Sequence, residues 1–196
     1  MLLEALAPVL ALSASLATPN SMLMDAAAGK RDTGHSILLA AETKCSPQQA
    51  FDLWATSDGA TKLFATRAEI GERVGGPYTV VFFPDEDPSG ARHGTAGAHV
   101  LMRDPPRLLA FEWIAFAGDA TKGDRAPPYA NEKVRRPAHL QTWVEIKFKP
   151  NGIGTHVDFR HYGFAATAQW KASQAWFTHA WIGVLAHMKD VCATEQ

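Results

Sequence analysis

Residues 142–191, TWVEIKFKPNGIGTHVDFRHYGFAATAQWKASQAWFTHAWIGVLAHMKDV, decide the fold. From Thr142 to Lys149, Val144, Ile146 and Phe148 alternate with Glu145, Lys147 and Lys149. That period of two predicts a strand with one wet face. From Thr155 to Tyr162, Val157, Phe159 and His161 share a face opposite Asp158 and Arg160. Pro150-Asn151-Gly152 supplies the turn between the two. Past a bend at Gly163 the period becomes helical over Ala168 to Val191, with Phe177, Trp181, Val184, Leu185 and Met188 on one stripe. A hairpin handing over to a long helix predicts an α+β fold in which a sheet grips a helix. Two such layers leave room for a ligand between them.

The upstream sequence supplies the rest of the sheet. Ile37 to Thr43 reads as a first strand. Ser46-Pro47-Gln48-Gln49 opens a helix: Ser46 caps, Pro47 suits the first turn, and Gln49 completes a capping box. Phe51, Trp54 and Ala55 give it an apolar face, and a short second helix carries Leu63 and Phe64. Period-two patterns then predict strands at Arg67 to Ile70, Tyr78 to Phe83, His93 to Met102 and Leu109 to Ile114. Gly75-Gly76-Pro77, the acidic Pro84 to Gly90 segment and Asp104-Pro105-Pro106 mark the turns. Residues 117–141, rich in Gly, Pro, Lys and Arg, read as a long loop, a lid over a cavity or a solvated surface segment.

Composition narrows the function. The chain has 196 residues, 46% apolar and 20% charged, with a formal net charge of −1. This is globular composition without the basic stripe of a nucleic-acid binder. Residues 1–34 read as leader and linker, ahead of a domain over 35–196. Leu6 to Leu16 is apolar and too short to span a bilayer. Ser15-Leu16-Ala17 and Ala26-Ala27-Ala28 resemble cleavage sites, yet the only charge near the start is Glu4. The localisation is therefore undecided: periplasmic or secreted if the leader is cleaved, cytoplasmic otherwise. Cys45 and Cys192 are the only cysteines. They read as two unrelated thiols, paired only if the protein is exported.

Five local patterns in order resemble one family. They are Ser46-Pro47-Gln48-Gln49-Ala50-Phe51, Arg73-Val74-Gly75-Gly76-Pro77-Tyr78, Pro106-Arg107-Leu108-Leu109-Ala110-Phe111-Glu112-Trp113, Val157-Asp158-Phe159-Arg160-His161-Tyr162-Gly163-Phe164, and the stripe from Trp181 to Met188. Residues 36–191 thereby resemble the helix-grip fold of the START-like, or SRPBCC, superfamily. Within it the chain is most similar to the group related to the C-terminal domain of the activator of the heat-shock-protein-ninety ATPase. The resemblance implies a curved antiparallel sheet wrapped around a long C-terminal helix, with two short helices after the first strand. It also implies a chaperone-related interaction role as one alternative, with a partner that acts in the cytosol.

Enzyme signatures are missing from the sequence: it holds no nucleophile elbow, zinc-protease helix, phosphate loop or dinucleotide fingerprint. Its eight histidines show no metal-ligand spacing. No catalytic residue, metal site or cofactor is assigned. The candidate ligand-binding residues are Tyr78, Phe82, Phe111, Trp113, Phe159, His161, Phe177 and Trp181, because ligand pockets are mostly apolar with a few polar anchors. His161 reads either as that anchor or as a histidine holding the Gly163 corner. Glu112 alternates away from Trp113 toward solvent; an inverted face would pair it with His161 as acid and base. The leading expectation is a carrier or sensor of a small hydrophobic ligand, without nucleic acid and without a membrane span. A cyclase- or hydrolase-type enzyme using His161 is the other alternative.

Overall fold

In the computed structural model, which describes residues 35–117 and 139–194, the first strand is β1, Ile37–Thr43. The leader and linker expected over residues 1–34, and most of the lid expected over residues 117–141, lie outside the described residues. Helix α1, Pro47–Ala55, begins with the expected capping box: Gln49 N donates to Ser46 Oγ (3.3 Å), and Ser46 N donates to Gln49 Oε1 (2.9 Å). Its inward face buries Ala50, Phe51, Leu53, Trp54 and Ala55. Helix α2, Ser57–Leu63, follows at once, capped by Thr56 Oγ1, which accepts from Gly59 N at 3.0 Å. A Cβ at Gly59 would lie 2.0 Å from Asp52 O, so only glycine lets the two helices pack this closely.

Strands β2, Arg67–Ile70, and β3, Tyr78–Val81, pair as a separate antiparallel ribbon. The main sheet holds β1, β4 (Val100–Asp104), β5 (Leu108–Phe116), β6 (His139–Asn151) and β7 (Gly154–Tyr162) in the order β1-β7-β6-β5-β4, each neighbour antiparallel. Register lines up Ile37, His161, Val144 and Phe111 in one inward row, and Leu39, Phe159, Ile146 and Leu109 in the next. Helix α3, Ala168–Thr194, lies in the grip and buries Phe177, Trp181, Leu185 and Met188 at the spacing the sequence predicts. The result is the expected α+β helix-grip architecture, a curved antiparallel sheet closed by a long C-terminal helix. Among the described residues no helix is long and apolar enough to cross a membrane.

Two expectations are corrected. The strand expected from His93 to Met102 begins only at Val100; the residues before it form turns. Here a side chain replaces a ladder. Thr95 Oγ1 donates to Tyr78 O (2.6 Å) and accepts from Val80 N (2.8 Å), while Thr95 N donates to Val80 O (3.0 Å). Thr95, with Ala98 O accepting from Tyr78 N (2.8 Å), thus satisfies the edge of β3 that a strand would otherwise cover.

The second correction concerns the cysteines. Cys45, just past β1, and Cys192, in the last turn of α3, form a disulfide across a sequence separation of 147, with Cα atoms 5.0 Å apart and both residues buried. Sequence distance hid what the grip brings together: the end of β1 meets the end of the helix. The bridge closes nearly the whole domain into a loop, which restricts the unfolded chain strongly. Cys45→Ser or full reduction is expected to cost about 2–5 kcal/mol of stability. Thermal melts with and without dithiothreitol check this, and an unchanged midpoint would count against the bridge as a structural staple.

Candidate functional site

The site is built on a buried relay. His161, at the end of β7, is fully buried. Trp181 Nε1 of α3 donates to His161 Nδ1 at 3.0 Å. An indole nitrogen can only donate, so the imidazole proton sits on Nε2. Nε2 then donates to Thr142 Oγ1 of β6 at 2.7 Å, and the Thr142 hydroxyl donates in turn to the carbonyl of Trp113 on β5 at 2.7 Å. Three bonds join α3, β7, β6 and β5 through polar atoms that all find partners. Burial pushes the His161 imidazole down to about 3, so the ring is neutral at pH 7. Phe164 and Phe177 pack edge-on against it, with centroids 4.7 Å and 5.4 Å away.

Beside this relay lies a cavity of about 230 Å³. Phe64, Phe82, Trp113, Phe116, Phe177 and Trp181 form its aromatic walls, Ala180 and Val184 close it from α3, and His93, Gly94 and Thr95 form one side. Of the eight residues expected to bind ligand, Phe82, Trp113, Phe177 and Trp181 line this space. Tyr78, Phe111, Phe159 and His161 stand behind it. Tyr78 stacks on Phe111 at 3.7 Å, and its hydroxyl donates to Trp54 O at 3.0 Å; burial pushes that phenol well above its usual range. Phe159 packs behind Trp181, with ring centroids 4.8 Å apart. The period-two and helical patterns find inward-facing residues; they do not tell a cavity wall from the layer behind it.

Sequence reasoning missed the third wall, His93-Gly94-Thr95, which is held from two sides. Asp87, itself buried, accepts from the backbone N–H groups of Ala91 (3.2 Å), Arg92 (2.8 Å) and His93 (2.8 Å). Burial raises the Asp87 carboxyl, but these donors outweigh it and leave the group below its ordinary value. A Cβ at Gly94 would stand 2.0 Å from Val80 O, so glycine is needed to press the loop onto β3. The acidic turn followed by small residues was the available signal; its meaning depended on β3 lying alongside.

The outer face of the sheet carries the ionic groups. Glu112 faces away from the cavity side and pairs with His99, Oε2 to Nδ1 at 2.8 Å, so no acid–base pair with His161 forms. Farther along, His156 bridges Glu42 (2.5 Å) and Asp158 (3.1 Å), and Lys149 reaches Asp158 at 2.6 Å. Hydrogen bonds from Glu42, then Asp158, raise the His156 imidazole above its ordinary value. Among the described residues no group of three His, Cys, Asp or Glu side chains could hold a metal ion.

Comparison with known proteins fits this geometry. The family model described as "Activator of Hsp90 ATPase homolog 1-like protein" matches residues 44–193. No curated protein matches the chain. Among solved structures, a protein from Mesorhizobium loti is similar over 82% of this chain and 98% of its own, at 12% identity and TM-score 0.58. The Aha1 dimer from Colwellia psychrerythraea is similar over 81% of this chain and 96% of its own, at 17% identity and TM-score 0.55. A protein from Nitrosomonas europaea is similar over 85% and 99%, at 14% identity and TM-score 0.56. At such identities the likeness is one of fold.

The relay has a pH signature. His161 in the unfolded chain protonates near about 6.5, whereas the folded group resists protonation until about 3. Between those values the unfolded state holds the extra proton, so acidification removes stability. His161→Gln does not titrate. The stability advantage of the wild type over this variant is therefore expected to shrink by roughly 1 kcal/mol per pH unit below about 6.5. Urea melts of both proteins from pH 7 to pH 4 check the slope, and parallel profiles would overturn the buried neutral assignment.

Proposed function

We propose that this chain, which belongs to the Activator of Hsp90 ATPase homolog 1-like family, binds a small apolar molecule in the aromatic cavity between its sheet and α3, and carries or senses it. The family and fold support a domain of ligand-binding or carrier type in general. The observation that carries the reading is the cavity itself. An apolar void of about 150 Å³ suffices to take up benzene, and drug-sized ligands fill about 300–1,000 Å³. A space of about 230 Å³ falls between, which suits a molecule of one or two fused rings. Its walls of Phe64, Phe82, Trp113, Phe177 and Trp181 offer flat faces and edges to such a ring.

The relay supports a binding role over a catalytic one. Both nitrogens of His161 are occupied, by Trp181 and Thr142, so the imidazole acts as a brace for the walls. The buried Cys45–Cys192 bridge supports work in an oxidising compartment, because cytosolic thiols are kept reduced. In such a compartment a cytosolic chaperone would not be the partner.

Ala180 lines the cavity from α3, where a larger side chain fills the space without changing the rest of the surface. Naphthalene is expected to bind the wild type saturably in calorimetric titration. Ala180→Leu is expected to weaken binding at least about tenfold, with the melting midpoint held or raised. Binding unaffected by the filled cavity would overturn the reading. An interaction module acting through its surface would keep its partner in this variant, which separates the two roles.

A further inference from the structure

We propose that His156 is a proton-operated clasp on the outer face of the sheet: charged, it fastens the edge strand β1 to β7, and neutral, it lets that edge loosen. The argument comes from the chemistry of its two partners. Nδ1 faces Glu42 Oε1 of β1 at 2.5 Å, and Nε2 faces Asp158 Oδ1 of β7 at 3.1 Å. An ionised carboxylate only accepts, and a neutral imidazole carries a single N–H. Two accepting partners therefore require protons on both ring nitrogens, so the geometry is that of an imidazolium. Both partners are held ionised. Hydrogen bonds from His156, then Asn151, keep the Glu42 carboxyl below its ordinary value, and bonds from Lys149, then His156, do the same for Asp158.

Within contact distance the charges balance in this form. Glu42 and Asp158 supply two negative charges, and Lys149 of β6, 2.6 Å from Asp158, and His156 supply two positive ones. Asn151 Nδ2, at the end of β6, donates to the other Glu42 oxygen at 2.8 Å. Farther out, Lys189 of α3 acts on Glu42, Arg160 of β7 on Asp158, and Lys44 stands with Glu42 around a groove. These cations oppose a charged ring, but the two carboxylates in contact outweigh them and raise the imidazole. Glu42 and His156 are direct partners in the β1–β7 register. When the ring loses a proton, Glu42 loses either its donor or the charge on that donor, and the cross-strand link weakens. The release is local, because Cys45, three residues on, stays bonded to Cys192 of α3. A histidine raised by folding contributes its full stability below about 6.5, the ordinary value, and loses it as pH rises through the folded value. The clasp therefore opens on the alkaline side, opposite to the His161 relay.

The first test is a ¹⁵N NMR titration of the histidine side chains in the wild type, which needs no substitution. At pH 6 both His156 nitrogens are expected to carry protons, and the ring is expected to titrate above the ordinary histidine value. In Glu42→Gln its midpoint should fall toward that value. A His156 ring already neutral at pH 6, or a midpoint that ignores Glu42→Gln, overturns the proposal. The second test reads the strand itself. Amide hydrogen exchange is followed from pH 6 to pH 9 and corrected for the intrinsic rate at each pH. In the wild type, protection of the β1 and β7 amides around the Glu42–His156 pair is expected to fall at least about twofold relative to the amides of α3. In His156→Gln those strand amides should be less protected at pH 6 and should follow α3 throughout. Identical pH profiles in the two proteins overturn the clasp even where the ring is charged.

Discussion

The hydrogen bond from Trp181 to His161 is the contact on which the rest of this structure depends. It is a polar link between the gripping sheet and the gripped helix, and it lies out of water. Buried polar groups are costly when unmatched and directional when matched. Here every step is matched, from the indole to the imidazole, from the imidazole to the Thr142 hydroxyl, and from that hydroxyl to the Trp113 carbonyl. The chain of bonds sets how α3 sits over the sheet. It also fixes Trp181 and the backbone of Trp113, two walls of the cavity.

Around that link the packing is uneven, and the unevenness makes the site. On one side Trp54 is wedged between Phe159 and Trp181, with its N–H on Met188 Sδ at 3.5 Å. The Cys45–Cys192 bridge closes that end of the helix against β1. On the other side the walls draw apart, and Phe64, Phe82, Trp176 and Val184 are only half-buried. An apolar void is destabilising, because its lining forgoes contacts that dense packing would supply. The brace and the staple stiffen the dense end, and the open end keeps the space that the proposed ligand would fill.

Much of this was legible along the chain. Alternation in Val144, Ile146 and Phe148 named the inner face of β6, and the spacing of Phe177, Trp181, Leu185 and Met188 named the inner stripe of α3. Ser46 and Gln49 announced their helix, because a capping box is made by neighbours. The site was only half legible. Phe82, Trp113, Phe177 and Trp181 were found because they point inward, and Tyr78, Phe111, Phe159 and His161 came with them for the same reason. His93 was read as part of a strand of small residues, since its place in the cavity wall arises from a turn pinned by Asp87 and pressed on β3.

The sequence by itself determined most of the elements, their buried faces and the family, because each depends on residues within a few positions of one another and on a short-range period. Only the tertiary structure decided that Cys45 bonds Cys192, that His161 is a brace with both nitrogens taken, that Glu112 turns outward to His99, and which aromatic rings border empty space. These are matters of distance between residues far apart in the chain. Hydrophobic pattern says which side chains leave water; it carries no information on how completely they fill the space they enter.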